Sequence, residues 1–261
     1  MILTFYKYQG TGNDFVIIDN RDAIVSKNNT KLFARLCDRK FGIGADGLML
    51  LEQPQNDEDD FTMVYFNADG NESSMCGNGG RCLVAFAAFL DIIKDKATFT
   101  AIDGKHHAEI KDGLVRLQMQ DVQEIEKYES HLFLDTGSPH HVTMVDRLAE
   151  FDVQNVGRSI RNGAPYFESG SNVNFVEKKN GNLFAVRTYE RGVEDETLSC
   201  GTGVTAVALS MHATQQVDQE EVNIDTPGGA LKVTFKPTPE GYKDIFLIGP
   251  AEQVFKGEIE C

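Results

Sequence analysis

The feature that most constrains the fold of this 261-residue chain is a pair of motifs that occurs twice, in the same order. A Thr-Gly turn that leads into an apolar run begins at Thr11 and again at Thr136, 125 residues later. A Cys-Gly-x-Gly motif that leads into a second apolar run begins at Cys76 and again at Cys200, 124 residues later. Two independent motif pairs at nearly one offset are hard to obtain by chance, so the sequence predicts a duplicated module.

The duplication predicts two pseudo-symmetric domains, residues 1–118 with Cys76 and residues 119–249 with Cys200. We expect the C-terminal segment 250–261 to join the first domain. Short β-rich runs alternate with Asp-Gly, Asn-Gly, Gly-Gly and Pro-Gly turns along the chain, which is typical of strands joined by tight turns. The runs predicted as strands are Phe15–Ile18, Leu48–Leu51, Phe61–Phe66, Leu114–Met119, Leu132–Leu134, Leu183–Tyr189 and Leu231–Phe235.

Three helices are predicted between these strands. One spans Lys31–Arg39 after a polar Asn-Asn-Thr start, one follows Cys76, and one spans Gly203–Met211. The last two are apolar on nearly every side, and a helix of that kind is buried. Each is therefore expected at the centre of its own half, wrapped by a sheet, which makes the fold class α+β.

The charge balance excludes several classes of partner. The chain carries 40 acidic against 25 basic side chains, a formal charge of −15, which repels nucleic-acid phosphates and anionic lipid. The longest apolar stretch, Leu83–Ile93, is far shorter than the ~20 residues that cross a bilayer. Met1–Phe5 has neither the basic nor the apolar region of a signal peptide. Five cysteines without a CxxC pair predict free thiols in a reducing compartment, so we expect a soluble, cytoplasmic protein.

Two of the five cysteines stand where chemistry is favoured. Cys76 and Cys200 each precede an apolar helical run, and a helix N-terminus supplies free N–H groups that favour a thiolate or a bound carboxylate. Two related sulfurs on opposite faces of one carbon could invert a stereocentre, because one thiolate removes the α-proton while the other thiol delivers a proton. Cys37, Cys82 and Cys261 have no such context and are interpreted as structural.

Six segments, taken together and in this order, resemble the diaminopimelate epimerase family: Gly10–Phe15, Phe66–Gly70, Met75–Cys82, Tyr189–Gly192, Ser199–Gly203 and Pro227–Leu231. The resemblance implies a cofactor-independent epimerase that interconverts LL- and meso-2,6-diaminopimelate on the bacterial route to lysine and peptidoglycan. It also implies two pseudo-symmetric domains, each a mainly antiparallel sheet curled around a central helix. The active site would lie in the cleft between them, and the enzyme is often a homodimer.

The resemblance further implies roles for individual residues. Cys76 and Cys200 are the acid/base pair, and the implied substrate-binding residues are Asn13, Asn67, Gly77, Asn78, Asn172, Glu190, Arg191, Gly201 and Thr202. The helix-start residues among these hold the reacting carboxylate, and the asparagines of the strands hold other polar groups of the substrate. Arg191 pairs with the distal carboxylate, since a guanidinium suits a two-pronged contact. His140 and Glu190 tune the thiols, and Glu190 can also meet an ammonium group.

Three positions depart from the family pattern. Gly47 stands where some members have a substrate-binding Gln, and Ser138 stands where an Asn that binds the distal end is usual. Phe255 stands where some members have a Tyr in the dimer contact. The first two changes affect distal-end recognition and the third affects the dimer, while the residues of the proton-transfer chemistry are all present.

Other functions remain as alternatives. A two-cysteine racemase of the same fold could act on proline or hydroxyproline, although its substrate would leave Arg191 without a partner carboxylate. A cysteine hydrolase would need one Cys with a His base and no duplicate at Cys200. In a binding module both thiols would only pack, so alkylation would leave ligand affinity unchanged. No cofactor or metal is expected. A nucleotide-binding glycine motif stands before a helix, whereas the glycines of Gly42–Gly47 come after the predicted helix. No HxxxH or CxxC spacing, which would suggest a metal site, occurs in the chain.

Overall fold

The computed structural model describes residues 1–73 and 75–261 and divides into two compact units. The first unit comprises Met1–Leu117 and Gly249–Cys261, and the second unit comprises Gln118–Ile248. Among the described residues, no helix combines the length and the apolar character needed to cross a membrane.

The elements of the first unit, in chain order, are β1 (Ile2–Gly10), β2 (Asn13–Asp19), α1 (Thr30–Cys37), β3 (Gly47–Glu52), β4 (Phe61–Asn67), α2 (Gly77–Phe89), β5 (Lys96–Ala101), β6 (Gly104–Lys111) and β7 (Leu114–Gln118). Those of the second unit are β8 (Glu126–Lys127), β9 (Leu132–Asp135), β10 (Pro139–Met144), a 3-10 turn (Leu148–Glu150), α3 (Val153–Asn162), β11 (Asn172–Asn180), β12 (Leu183–Glu190), β13 (Asp195–Thr197), α4 (Gly201–Ala213), β14 (Glu221–Thr226), β15 (Gly229–Thr238) and β16 (Gly241–Gly249). The last strand, β17 (Glu252–Glu260), belongs to the first unit.

The two units pair their strands in the same way. In the first unit β1–β2, β3–β4, β5–β6 and β6–β7 are antiparallel, and β2–β3 and β4–β5 are parallel. In the second unit β9–β10, β11–β12, β14–β15 and β15–β16 are antiparallel, and β10–β11 and β12–β14 are parallel. Each parallel pair requires a crossover connection, and helices supply it at equivalent places in both units. The mainly antiparallel α+β fold predicted from the sequence is confirmed.

The second helix of each unit is its buried centre. α2 and α4 are both 13 residues long, and ten residues of each are buried. α2 contacts β1, β2, β3, β6 and β17 of its own unit, and α4 contacts strands from β9 to β15 of its own unit. The expectation that these apolar helices lie inside a sheet wrapping is confirmed within each unit.

Several elements were not predicted from the sequence, among them helix α3 and strand β6. α3 was not predicted because only one side of Val153–Asn162 is apolar, and the helix begins where the Asp152 carboxylate accepts a hydrogen bond from Asn155 N at 3.1 Å. α1 ends at Cys37 rather than at Arg39, because the backbone of Asp38 is extended (φ −64°, ψ 123°). Strands such as β6 were missed because one face is exposed and polar.

Candidate active site

Both predicted catalytic cysteines are the N-cap residues of the central helices. Cys76 precedes α2 with φ −102° and ψ 128°, and Cys200 precedes α4 with φ −118° and ψ 111°. The first turns, Gly-Asn-Gly and Gly-Thr-Gly, contain no acidic side chain that would compete with an anionic ligand for the N–H groups there. These turns contain the four residues predicted to hold the reacting carboxylate: Gly77, Asn78, Gly201 and Thr202.

In the first unit Cys76 contacts a series of hydrogen-bonded polar side chains. We call this series the Cys76 network (Asp46, Asn13, Asn78 and Arg81). The Sγ of Cys76 lies 3.6 Å from Asn13 Oδ1. Asn13 donates through Nδ2 to Asp46 Oδ2 at 2.7 Å, and its Oδ1 accepts from Asn78 Nδ2 at 3.4 Å. Arg81 donates in turn to Asn78 Oδ1 at 3.1 Å. Asn13 and Asn78, predicted separately as substrate ligands, therefore contact each other and one of them contacts the thiol.

An ionic cluster holds the strand that carries Asn13. Asp14 lies 2.6 Å from Lys7 Nζ and 2.7 Å from Arg39 Nη2. Burial alone would raise the pKa of Asp14, but hydrogen bonds from Arg39 and Lys7 outweigh it and lower that pKa to about 2. Arg39 also contacts Asp46 at 2.7 Å, so the carboxylate that orients Asn13 is itself fixed.

Arg81 is a fully buried cation that was not among the predicted site residues. Its side chain is 0% exposed, and it donates to Gly77 O, Thr11 Oγ1 and Asn78 Oδ1 at 3.3, 3.3 and 3.1 Å. Within residues 1–73 and 75–261, no carboxylate forms an ion pair with Arg81. Burial accordingly lowers its pKa. The signal in the sequence was a charged residue one turn into a helix whose following residues are all apolar.

In the second unit Cys200 lies at the end of a different series of hydrogen-bonded side chains. We call this series the Cys200 network (Thr188, Asn174, His140 and Thr202). The Sγ of Cys200 lies 3.5 Å from Thr202 Oγ1, which lies 2.9 Å from His140 Nε2. Asn174 Nδ2 lies 3.0 Å from His140 Nδ1, and Thr188 Oγ1 donates to Asn174 Oδ1 at 3.0 Å. His140 and Thr202, both predicted as site residues, are therefore neighbours, whereas Asn174 and Thr188 were not predicted.

The histidine of this network is neutral. His140 is 0% exposed, and burial lowers its pKa to about 3, with a smaller contribution from the positive charge of Arg191. A glycine allows the helix to begin so close to the network, because a Cβ at Gly203 would overlap Asn174 Oδ1. Cys200 is 7% exposed as a residue, whereas Cys76 is half-buried.

The residues predicted for the distal end of the substrate are tied together by Asn172. Its Nδ2 donates to Ser138 Oγ at 2.9 Å and Pro139 O at 3.2 Å, and its Oδ1 accepts from Arg191 N at 2.8 Å. Arg191 is exposed, and its Nη1 donates to Ser169 O at 3.0 Å. Asn172 therefore positions the segments around Ser138 and Arg191, in addition to any contact with substrate.

The strand registers show that two further predicted site residues, Asn67 and Glu190, occupy equivalent positions in the two halves. Leu48 pairs with Phe66 in the first unit, and Val173 pairs with Tyr189 in the second. The residues that follow on the same strands, Asn67 and Glu190, are thus equivalent. Asn67 is exposed and Glu190 is half-buried.

The structure explains the glycine that departs from the family pattern at position 47. A Cβ at Gly47 would lie 2.6 Å from the ring of Tyr65 and 2.7 Å from Phe66 O. The space for a longer side chain is therefore already filled by Tyr65.

The remaining cysteines have structural surroundings. All five thiols are free, as the sequence analysis predicted. Burial raises the pKa of Cys37 and of Cys82 to about 12, so neither forms a thiolate near neutral pH, and Cys261 is exposed at the C-terminus. In the described part of the chain, no group of three or more His, Cys, Asp or Glu side chains could hold a metal ion. Two cavities of the second unit, 830 and 390 Å³, are lined by none of the predicted site residues.

The chain as a whole is similar to proteins of one family. The family model for diaminopimelate epimerase matches residues 5–125 and 132–254. A diaminopimelate epimerase of Flavobacterium psychrophilum is 55% identical over 258 residues, which cover 98% of this chain and 100% of the relative. The diaminopimelate epimerase of Aquifex aeolicus is 37% identical over 275 residues, which cover 98% of each chain.

Solved structures of other proteins share the fold at low sequence identity. A PhzF-family phenazine biosynthesis protein from Bacillus anthracis gives a TM-score of 0.79 at 12% identity, covering 100% of both chains. A hydroxyproline epimerase from Agrobacterium vitis, with bound trans-4-hydroxy-L-proline, gives 0.69 at 13% identity, covering 99% of this chain and 92% of that one. These likenesses establish the fold alone.

Proposed function

The chain belongs to the diaminopimelate epimerase family, and from that membership we propose that it interconverts LL- and meso-2,6-diaminopimelate without a cofactor, in the biosynthesis of lysine and peptidoglycan precursors. The observation that carries the proposal is the repeated helix start, Cys76 on α2 and Cys200 on α4. A single cysteine at a helix N-terminus would suit a nucleophile. Two in equivalent positions suit a reaction that needs two acid/base groups of the same kind.

The proposed reaction transfers one proton on each face of the α-carbon. One cysteine, as thiolate, removes the α-proton and becomes a thiol, and the electron pair of the broken C–H bond is delocalised into the adjacent carboxylate. The other cysteine, as thiol, donates its proton to the opposite face and becomes a thiolate. The substrate is inverted, no net charge is gained or lost, and exchange with water restores the starting protonation states.

The helix starts are suited to stabilise the intermediate of this reaction. A carboxylate next to the carbanion gains negative charge, and the first-turn N–H groups of α2 and α4 carry the positive ends of their peptide dipoles. Such preorganised donors favour the charge that develops in the transition state. The glycines of both turns leave room for a ligand to approach the backbone.

Arg191 and Glu190 are proposed to select the substrate. Diaminopimelate carries a second ammonium and a second carboxylate, so its site needs both an anionic and a cationic partner beyond the reacting centre. Arg191 is exposed at the end of β12, with one described hydrogen bond to the Ser169 carbonyl, and Glu190 precedes it. Proline and hydroxyproline lack the distal groups, which argues against the racemase alternative.

The two compact units are proposed to act as the two domains of the enzyme, with the division that the sequence analysis expected near residues 118 and 249. A cytoplasmic location is proposed from the charge balance and the free thiols. A homodimer is proposed from the family resemblance, and Phe255 on β17, which is 45% exposed, is a position to probe. Light scattering of the wild-type protein and Phe255→Lys tests the dimer separately from the reaction.

Chiral chromatography of reaction mixtures tests the proposed function. Purified protein without added cofactor should convert LL-diaminopimelate to a mixture with the meso isomer and should leave L-proline unchanged. The Thr143→Val variant, which removes a hydroxyl that donates to Ser130 O, is a matched control that should keep this activity. Racemisation of proline with no action on diaminopimelate would establish the alternative function.

A further inference from the structure

We propose that Asn174 is a positioning residue for Cys200, and that the network it orients makes Cys200 the thiolate and Cys76 the thiol of the resting enzyme. The inference rests on the two-thiol reaction proposed above and adds to it the starting protonation state. It follows from the direction in which each hydrogen bond of the two networks must point.

The orientation of the Asn174 amide is fixed by a neighbour that can only accept. Asn174 Nδ2 lies 3.0 Å from the backbone carbonyl of His141, and its Oδ1 accepts from Thr188 Oγ1. The same Nδ2 lies 3.0 Å from His140 Nδ1, so that ring nitrogen must be the acceptor. Because His140 is neutral, its one ring proton is on Nε2.

The proton on His140 Nε2 determines whether the Thr202 hydroxyl acts as a hydrogen-bond donor or acceptor towards Cys200. Nε2–H donates to Thr202 Oγ1 at 2.9 Å, so the hydrogen of Thr202 itself must point to another acceptor. The other described neighbour of Thr202 Oγ1 is Cys200 Sγ at 3.5 Å. Cys200 thus faces an O–H donor, and a hydrogen bond to the charged form of a group favours that form.

In the Cys76 network the hydrogen bond at the sulfur points the other way, from the thiol to an acceptor. The Asp46 carboxylate accepts from Asn13 Nδ2, which fixes Asn13 with its Oδ1 towards the thiol at 3.6 Å. A carbonyl oxygen accepts a hydrogen bond from an S–H group but repels a thiolate. The hydrogen bond from Asn78 Nδ2 to the same oxygen does not change this direction, because an amide oxygen has two lone pairs.

The surrounding charges do not reverse the assignment. Arg81 lies on α2, the helix that Cys76 precedes, and it interacts more strongly with Cys82 than with Cys76. Its N–H groups donate to the neutral acceptors Gly77 O and Asn78 Oδ1. The other charged groups near the Cys76 network are Lys7, Arg39, Asp14 and Asp46, which pair with one another. In the second unit the ionisable side chains at the corresponding strand ends include Asp135, His140, Glu190 and Arg191. Because cations are present in both units, the assignment rests on the direction of the hydrogen bond between Cys76 and Asn13 and of the one between Cys200 and Thr202.

Alkylation of individual cysteines as a function of pH tests the proposal. Mass spectrometry of iodoacetamide-treated Cys261→Ser protein follows the peptides of Cys76 and Cys200 separately, and the buried Cys37 and Cys82 report unfolding. The midpoint of the rate profile reports thiolate formation, whereas accessibility changes only the plateau. We expect Cys200 to have the lower midpoint by at least about one pH unit, a tenfold difference in thiolate population. Equal midpoints, or a lower midpoint for Cys76, would overturn the proposal even if epimerase activity is present.

Substitutions in the Cys200 network sharpen the test. Thr202→Val removes the donor with little change of shape and should raise the Cys200 midpoint by about one pH unit, while Thr202→Ser should keep it. Asn174→Leu should shift the midpoint in the same direction by less, because His140 then loses its fixed tautomer. Thr205→Val is the matched control, since its hydroxyl donates to Gly201 O at 3.0 Å on the same helix. An equal shift in Thr205→Val, or none in Thr202→Val, would contradict the proposal.

Absence of epimerase activity with the expected order of midpoints would refute the proposed function and leave the protonation assignment intact. If Asn174→Leu does not fold, the comparison of Cys76 with Cys200 in the Cys261→Ser protein still decides the proposal. The two failures are therefore distinguishable.

Discussion

The two central helices have the same backbone and different chemistry at their first turns. α2 and α4 are equal in length, each begins after a cysteine with an extended backbone, and each is wrapped by strands paired in the same order. The residue two positions after each cysteine is Asn78 in one and Thr202 in the other. The first belongs to a network of amides and a guanidinium, and the second to a network of hydroxyls and an imidazole.

The comparison indicates which properties a duplicated module keeps. Backbone position places both sulfurs at a site of positive potential, and that requirement is common to both halves. Polarity at the sulfur is set by side chains, and there the halves have diverged. In the protonation assignment proposed above, this difference decides which of the two sulfurs carries the negative charge in the resting enzyme.

The largest expected effect tests whether both halves are needed. Cys76→Ala and Cys200→Ala should each lower kcat for diaminopimelate epimerisation by at least about 10³-fold, since each removes the acid/base group on one face. Circular dichroism should show that both variants remain folded. A Cys200→Ala protein with most of the wild-type turnover would show that the second half is not catalytic.

The next effect compares the equivalent ends of β4 and β12. Arg191→Ala should lower kcat/KM for diaminopimelate by about 3–5 kcal/mol in transition-state free energy if the bound carboxylate is closed off from water, because a buried charge would lose its partner. Part of the loss should appear in kcat, since distal binding positions the reacting carbon. Arg191→Lys should restore only part of the lost kcat/KM.

Asn67→Ala, in the first unit, should lower kcat/KM by less than Arg191→Ala because a neutral amide is removed. Wild-type kinetics for Arg191→Ala would reopen the proline-racemase alternative.

A pair of glycines at equivalent places tests how tightly each network is packed. A Cβ at Gly203 would overlap Asn174 Oδ1, whereas a Cβ at Gly79 would lie 3.1 Å from Met49 Sδ, the end of a flexible side chain. Gly203→Ala should therefore lower the free energy of unfolding by about 2–3 kcal/mol, and Gly79→Ala by about 1 kcal/mol or less. Urea unfolding measures both. Equal losses of unfolding free energy would mean that Asn174 moves aside for the added methyl group as easily as Met49 does.

The smallest expected effect is a difference in acid sensitivity between the units. The pKa of His140 is about 3 when folded and about 6.5 when unfolded, so its contribution to stability is present above pH 6.5 and is lost as the pH falls towards 3. In the first unit, Asp14 has a folded pKa of about 2 against about 3.9 unfolded, so its contribution is lost only below about pH 4. Hydrogen exchange, corrected for intrinsic rates, should show α4 losing protection before α2 as the pH falls from 7 to 4. Loss of protection in α2 first would contradict this order.

The sequence predicted the features that depend on local pattern and missed those that depend on pairing. The Cys-Gly-x-Gly repeats led to Cys76 and Cys200, because a glycine-rich turn before an apolar run is a local signal. Asn174 was missed because it lies within a strand, and only the register of β10 against β11 brings it to His140. Arg81 was visible in a motif, but its complete burial depends on how β1 and the C-terminal segment pack on α2.

The same distinction applies to the strands. Leu48–Leu51 and Phe61–Phe66 were predicted because strands buried on both faces are continuous apolar runs. β5 and β6 were missed because one face of each carries polar side chains, and His106 and His107 give β6 a polar composition. Which side chains end near one another is a property of sheet register, and a single sequence carries little information about register.

The isotope distribution in the first turnovers tests the two-base claim most directly. LL-diaminopimelate is incubated with the protein in D₂O, and the substrate and the meso product are separated while conversion is small. Two thiols acting on opposite faces predict deuterium at the inverted α-carbon of the product and none in the remaining substrate, because the removed proton and the delivered deuteron are on different sulfurs. Deuterium in both species at early times, or a product that retains the original α-proton, would show that one group acts on both faces and would contradict the account.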